Sequence, residues 1–146
     1  MNVRMAWMGA AVAVAMAGQT AMAQEVDPLR VPDIIGRGMQ AYAERGSLEA
    51  LKIWFGLDNV TPEQAEAQGQ IFQQIEQRYG AYLSFSLIGV LDVTRSTKIV
   101  YLSMDFERGP AFFAFQCYRT ADGWKVVALD YNLLARQIVP FDLLKR

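Results

Sequence analysis

The chain has 146 residues, 53% of them apolar and 20% charged, with a net charge of −1, a balance that fits one globular domain and excludes a disordered or fibrous chain. Its 14 basic and 15 acidic side chains form no basic run, so nucleic acid and anionic membrane surfaces are not expected partners. With no histidine and one cysteine, Cys117, it lacks an intrachain disulfide, the commonest metal ligand and every Ser-His or Cys-His nucleophile.

Residues 1–23 join Arg4 to an apolar, alanine-rich stretch over 5–18 and the small-residue end Ala21-Met22-Ala23. This is the pattern of a secretory signal peptide cut after Ala23, with the periplasm or the exterior as destination. Gly18, Gln19 and Thr20 break the run short of the ~20 residues that span a bilayer, so no membrane anchor is expected after cleavage. Residues 24–31 read as a flexible lead, with Pro28 and Pro32 discouraging regular structure, and residues 32–146 as one domain.

Apolar spacing predicts a first helix over 33–45, with Ile35, Met39 and Tyr42 on one side and Gly46 as its stop. A second, shorter helix follows, capped by Ser47, with Leu48, Leu51, Trp54 and Phe55 on its apolar side and Gly56 at its end. The third has Thr61 as N-cap, Pro62 at the first helical position and Gln64 completing a capping box. Its apolar face is Gly69, Phe72, Ile75 and Tyr79, with Glu76 beside Ile75, and Gly80 ends it.

Beyond Gly80 the period changes to two, predicting strands over 82–93, 98–107, 111–120 and 124–132. With loops at 94–97, 108–109 and 121–123, one face collects Leu83, Phe85, Leu87, Leu91, Val100, Leu102, Met104, Phe106, Phe113, Phe115, Cys117, Val127, Leu129 and Tyr131. The expected fold is α+β: three N-terminal helices packed on a curved four-stranded antiparallel meander. Cys117 reads as a small buried apolar residue. The opposite face carries Tyr101, Asp105, Phe112, Gln116, Tyr118, Val126 and Asp130. It is either a solvated face or the interface of a homodimer, since tyrosines and Phe112 among small polar groups match interface composition.

Helices followed by a meander, with Phe106-Glu107-Arg108-Gly109-Pro110 at one hairpin and Asp122-Gly123-Trp124-Lys125-Val126-Val127 entering the last strand, resemble the nuclear transport factor two-like superfamily. The closer likeness is to its small secreted bacterial members of uncharacterised role. The resemblance covers about residues 31–132. It implies a conical cavity between helices and concave sheet, and dimers formed through the sheet. Members include isomerases, dehydratases and binding modules without chemistry, so the fold alone does not choose a function.

On the residues, a transition-metal site and a phosphate or dinucleotide cradle lack their motifs, and no cofactor is expected. The binding reading lines the cone with Met39, Tyr42, Trp54, Phe72, Tyr79, Phe113, Phe115 and Tyr131 for an apolar or aromatic small molecule, with Arg119 orienting an anionic group at the mouth. The same side chains also serve as plain core. The alternative is an isomerase or lyase-type enzyme with a carboxylate base, Asp130 or Asp105, and a tyrosine donor, Tyr131 or Tyr101. The register sets both aspartates on the face away from the helices, which favours a non-catalytic binding or association module. The apolar tail after Asn132, with Ile138, Val139, Phe141, Leu143 and Leu144, should pack on its own domain, on a twin or on a partner.

Overall fold

The structure, a computed structural model, describes residues 30–56 and 60–145. The expected signal peptide and residues 24–29 of the expected lead lie outside the described residues. The last two residues of that lead contact the domain. Arg30 pairs with Asp92, its carbonyl accepts a bond from Lys98 Nζ at 3.0 Å, and Val31 packs on the core.

Helix α1 (Asp33–Arg45) meets α2 (Ser47–Phe55) through the single residue Gly46. Because the joint is so short, Ser47 is already helical and does not cap α2, and Leu48 turns to solvent. The two helices lock where the fully buried Trp54 ring lies on Gly38. A Cβ at Gly38 would sit 1.8 Å from Trp54 Nε1, so only glycine admits the indole. Helix α3 (Pro62–Tyr79) starts with the expected capping box: Thr61 Oγ1 accepts from the Gln64 amide, and Gln64 Oε1 accepts from the Thr61 amide, each at 3.2 Å. At its end Gly80 has φ +88°, a left-handed conformation that suits glycine, and its missing Cβ leaves room for the Glu107 side chain.

Strands β1 (Tyr82–Asp92), β2 (Thr97–Phe106), β3 (Gly109–Thr120) and β4 (Gly123–Asn132) form one antiparallel sheet in chain order. The β2–β3 turn is Glu107-Arg108, one residue earlier than expected, with Phe106 opposite Gly109. Moving a hairpin turn by one residue shifts the pairing by two, so the faces survive. Val100, Leu102, Met104, Phe106, Phe113, Phe115 and Cys117 share the helix side and are buried there.

The edge strands depart from simple alternation. In β1 the register shifts at Leu83 and Ile88, which brings Val90 into the core opposite Val100 and puts Leu91 on the outer face opposite Ile99. The β3–β4 turn is Ala121-Asp122, one residue shorter than the expected 121–123, with Thr120 opposite Gly123; Val126 therefore falls opposite Cys117 and is buried while Val127 is exposed, the reverse of the expectation. A bulge opposite the Gln116–Cys117 step then skips Val127 and restores the expected register, so Leu129 and Tyr131 keep their expected side. One extra residue exchanges the faces of all that follow, and period counting cannot see it.

The tail closes on its own domain. After a 3₁₀ turn (Ala135–Gln137), α4 (Phe141–Leu144) lies on the outer face of the sheet. Val139 and Leu143 bury Tyr101 there, with Ile88, Ile99, Phe112, Ala114 and Ile138 packed around them. Gly89, turned outward by the β1 bulge, makes the room: a Cβ on it would lie 2.8 Å from a Leu143 methyl. The molecule is therefore three layers, with helices, sheet and tail in that order.

The α1 glycines give a paired test. Gly36→Ala meets nothing within 4 Å and should raise stability by about 0.5–1 kcal/mol through helix propensity. Gly38→Ala should lower it by about 2 kcal/mol through overpacking against Trp54. Urea unfolding of both variants checks the opposite signs.

Candidate functional site on the outer face of the sheet

The side chains expected to line a cone are closed on one another. Met39, Tyr42, Trp54, Phe72, Phe113 and Phe115 are each 3% exposed or less. Phe72 stacks on Phe113 with ring centroids 5.5 Å apart, Trp54 meets Phe115 edge-on at 4.8 Å, and Tyr42 touches Phe72 at 5.4 Å. These six are part of the core. The stack comes to the surface at Tyr131, 6.0 Å from Phe113. There Tyr131 and the half-buried Tyr79 line a shallow cleft of about 570 Å³ with Arg78, Leu133 and Leu134.

Arg119 is not at that mouth. It pairs with Trp124 on β4, while Tyr131 pairs with Phe113, so roughly 20 Å of strand separates them at the rise of an extended chain. The Arg119 guanidinium lies over the Trp124 ring at 5.6 Å, where a cation is attracted to the π face.

Within the core, polar groups are matched. The Tyr42 hydroxyl donates to Glu76 Oε1 at 2.6 Å. Burial above all, then the Glu76 hydrogen bond and charge, push the Tyr42 hydroxyl pKa well above the usual phenol range. Tyr82 is raised by burial and by Asp105. Cys117 is buried on the core face, and burial pushes its thiol up to about 12. No fully buried side-chain nitrogen or oxygen among the described residues lacks a hydrogen-bond partner.

The outer face differs. Between the sheet and the 3₁₀ turn of the tail runs a cleft of about 460 Å³, floored by Ile99, Ala114, Ala128 and Ile138. Tyr101, Gln116, Asp130, Asn132 and Gln137 supply its polar lining, and Tyr131 borders it with its ring turned to the helix side. Asn132 Oδ1 is engaged by the Leu134 amide at 2.9 Å, which shapes the turn into the tail. The side chains of Asp130, Gln116 and Gln137 and the Tyr101 hydroxyl have no hydrogen-bond or ion-pair partner among the described residues. Tyr101 is only 7% exposed and burial raises its pKa, yet its oxygen is not sealed off, so the hydroxyl opens into the cleft.

The structure thus brings Asp130 and Tyr101 to one cleft outside the helix–sheet core, while the Tyr131 ring stacks on Phe113 on the other side of the sheet. Asp105, the other candidate base, is held on the outer face by the hydroxyls of Ser103 at 3.0 Å and Ser84 at 3.3 Å. Of the residues read as an interface, Tyr101 is covered by the tail and Phe112 is half-buried beside it, while Gln116 and Tyr118 are exposed. Gln137 and Asn132 were missed as lining residues. The signal for them was the small residues Ala114 and Ala128 on the outer face, which leave space for the apolar tail to come close, and that signal needed the tail's path to be read.

A further cleft of about 540 Å³ lies between α2 and α3, lined by Leu48, Lys52, Val60 and Gly69. Its lining residues Gly56 and Val60 flank in sequence residues 57–59, which are outside the described ones. Among the described residues no three His, Cys, Asp or Glu side chains gather as a metal site, and no helix is long and apolar enough to cross a membrane. Compared with protein-family models, curated proteins and solved structures, the chain matches none.

The buried thiol and phenols set a pH dependence. A group whose pKa is raised by folding binds its proton more tightly in the native state, so its contribution is complete below the unfolded pKa and is lost above it. Stability should be flat from pH 7 to about pH 9 and fall beyond, as unfolded Cys117 ionises while the native thiol stays protonated to about 12. Cys117→Ala should remove up to about 1.4 kcal/mol per pH unit of that slope, read from urea unfolding at pH 8, 9.5 and 11.

Proposed function

We propose that this chain is an exported nuclear transport factor two-like module that binds a small molecule without transforming it, and that its site is the outer cleft between sheet and tail. The order of three helices and an antiparallel meander supports the superfamily reading, and the pattern of residues 1–23 supports export. One observation carries the choice of site. Interior polar groups are matched and interior rings closed on one another, whereas Asp130, Gln116, Gln137 and a nearly buried Tyr101 hydroxyl converge without partners on an apolar floor. Unpaired donors and acceptors around an apolar floor are what a small-molecule site requires.

A second reading has one observation in its favour: Asp130 and Tyr101 line the same cleft, a carboxylate and a tyrosine of the kind an isomerase or lyase uses. Proton abstraction by a carboxylate gains from an apolar, dry setting, and Asp130 is exposed. Binding is therefore the better fit. Association of two copies is supported by the edge of β1, where Leu83, Phe85 and Leu91 are exposed and no charge interrupts the strand before Asp92.

Native mass spectrometry of the mature protein, taken from its exported fraction without unfolding, checks this reading. The expected spectrum shows a chain carrying a small retained mass that is lost in Asp130→Ala. A retained mass that survives Asp130→Ala would move the site elsewhere.

A further inference from the structure

The chemistry of the outer cleft names a class of ligand, an inference that rests on the binding reading above. Asp130 is the one acidic side chain in its lining, and no lysine or arginine stands there to neutralise it. An ammonium group has three N–H donors and no acceptor, and the cleft offers matching acceptors in the Asp130 carboxylate, the Gln116 and Gln137 carbonyls and the Tyr101 oxygen. A charge-assisted bond to a carboxylate is about twice as strong as a neutral one, so a cation gains most from this lining and an anion is repelled. Behind the polar groups, Ala114 and Ala128 have side chains too short to fill the floor, and Ile99 and Ile138 wall it, so a short hydrocarbon body has an apolar bed. We propose that the cleft binds a small primary amine, its ammonium on Asp130 and its apolar body over Ala114 and Ala128 beneath the tail.

The test uses the mature protein labelled with ¹⁵N and three probes of one length: hexylamine, 1-hexanol and hexanoate. Hexylamine is expected to shift the amides of Ala114, Gln116, Ala128 and Asp130 saturably, about tenfold more tightly than hexanol, with no saturable effect from hexanoate. Asp130→Asn should bring hexylamine down to the level of hexanol, and Tyr101→Phe should weaken both several-fold. Ala128→Leu, which fills the floor, should abolish both. Hexanoate binding as well as hexylamine, or an amine preference that survives Asp130→Asn, would overturn the amine assignment while leaving the cleft as a binding site. Saturable shifts confined to other parts of the molecule, or none with any probe, would overturn the cleft itself.

Discussion

Both faces of this sheet carry apolar side chains, and the need to keep both from water governs the rest of the structure. On one face Val100, Leu102, Phe113 and Phe115 are covered by the helices; on the other Ile88, Ile99, Tyr101 and Phe112 are covered by the tail. Burial at about 25 cal/mol per Å² of apolar surface drives both closures. The bulge at Ile88 makes the second one possible. It turns Gly89 outward where Leu143 must lie and sends Val90 inward, so one extra residue serves both layers.

That arrangement decides where a ligand can bind. The helix side is filled by rings packed against rings, with the indole of Trp54 set into the gap over Gly38. Interiors of this density leave no room without displacing side chains. The tail covers its face only in part, because it is a short 3₁₀ turn and one turn of helix rather than a full layer. The uncovered remainder is the outer cleft, and its polar lining comes from the outward-facing strand positions Tyr101, Gln116 and Asp130 and from Gln137 on the tail.

The sequence made most of the fold legible. Helix bounds followed from the capping box at Thr61 and the glycines at 46, 56 and 80, and the core face of β2 and β3 followed from strict alternation. The edge strands were not legible, since the bulges at Leu83 and Val127 and the shortened turn at Ala121-Asp122 follow from three-dimensional closure, and the Ile88 bulge left only Gly89 beside it as a local mark. The site was half legible. Asp130, Tyr131, Tyr101 and Gln116 stood out as residues of interest, but they were divided between a catalytic set and an interface. The tail that joins Asp130, Tyr101 and Gln116 into one cleft could be read as apolar, while its landing place could not, because that depends on the space over Gly89 and Ala114.

The most direct measurement is a crystal structure of the mature protein purified from its exported fraction and never unfolded. The account predicts difference density for a small molecule in the outer cleft, within hydrogen-bond reach of Asp130 and the Tyr101 hydroxyl. Density among the rings of Phe72, Trp54 and Phe113, or a second copy seated in the cleft, would contradict it.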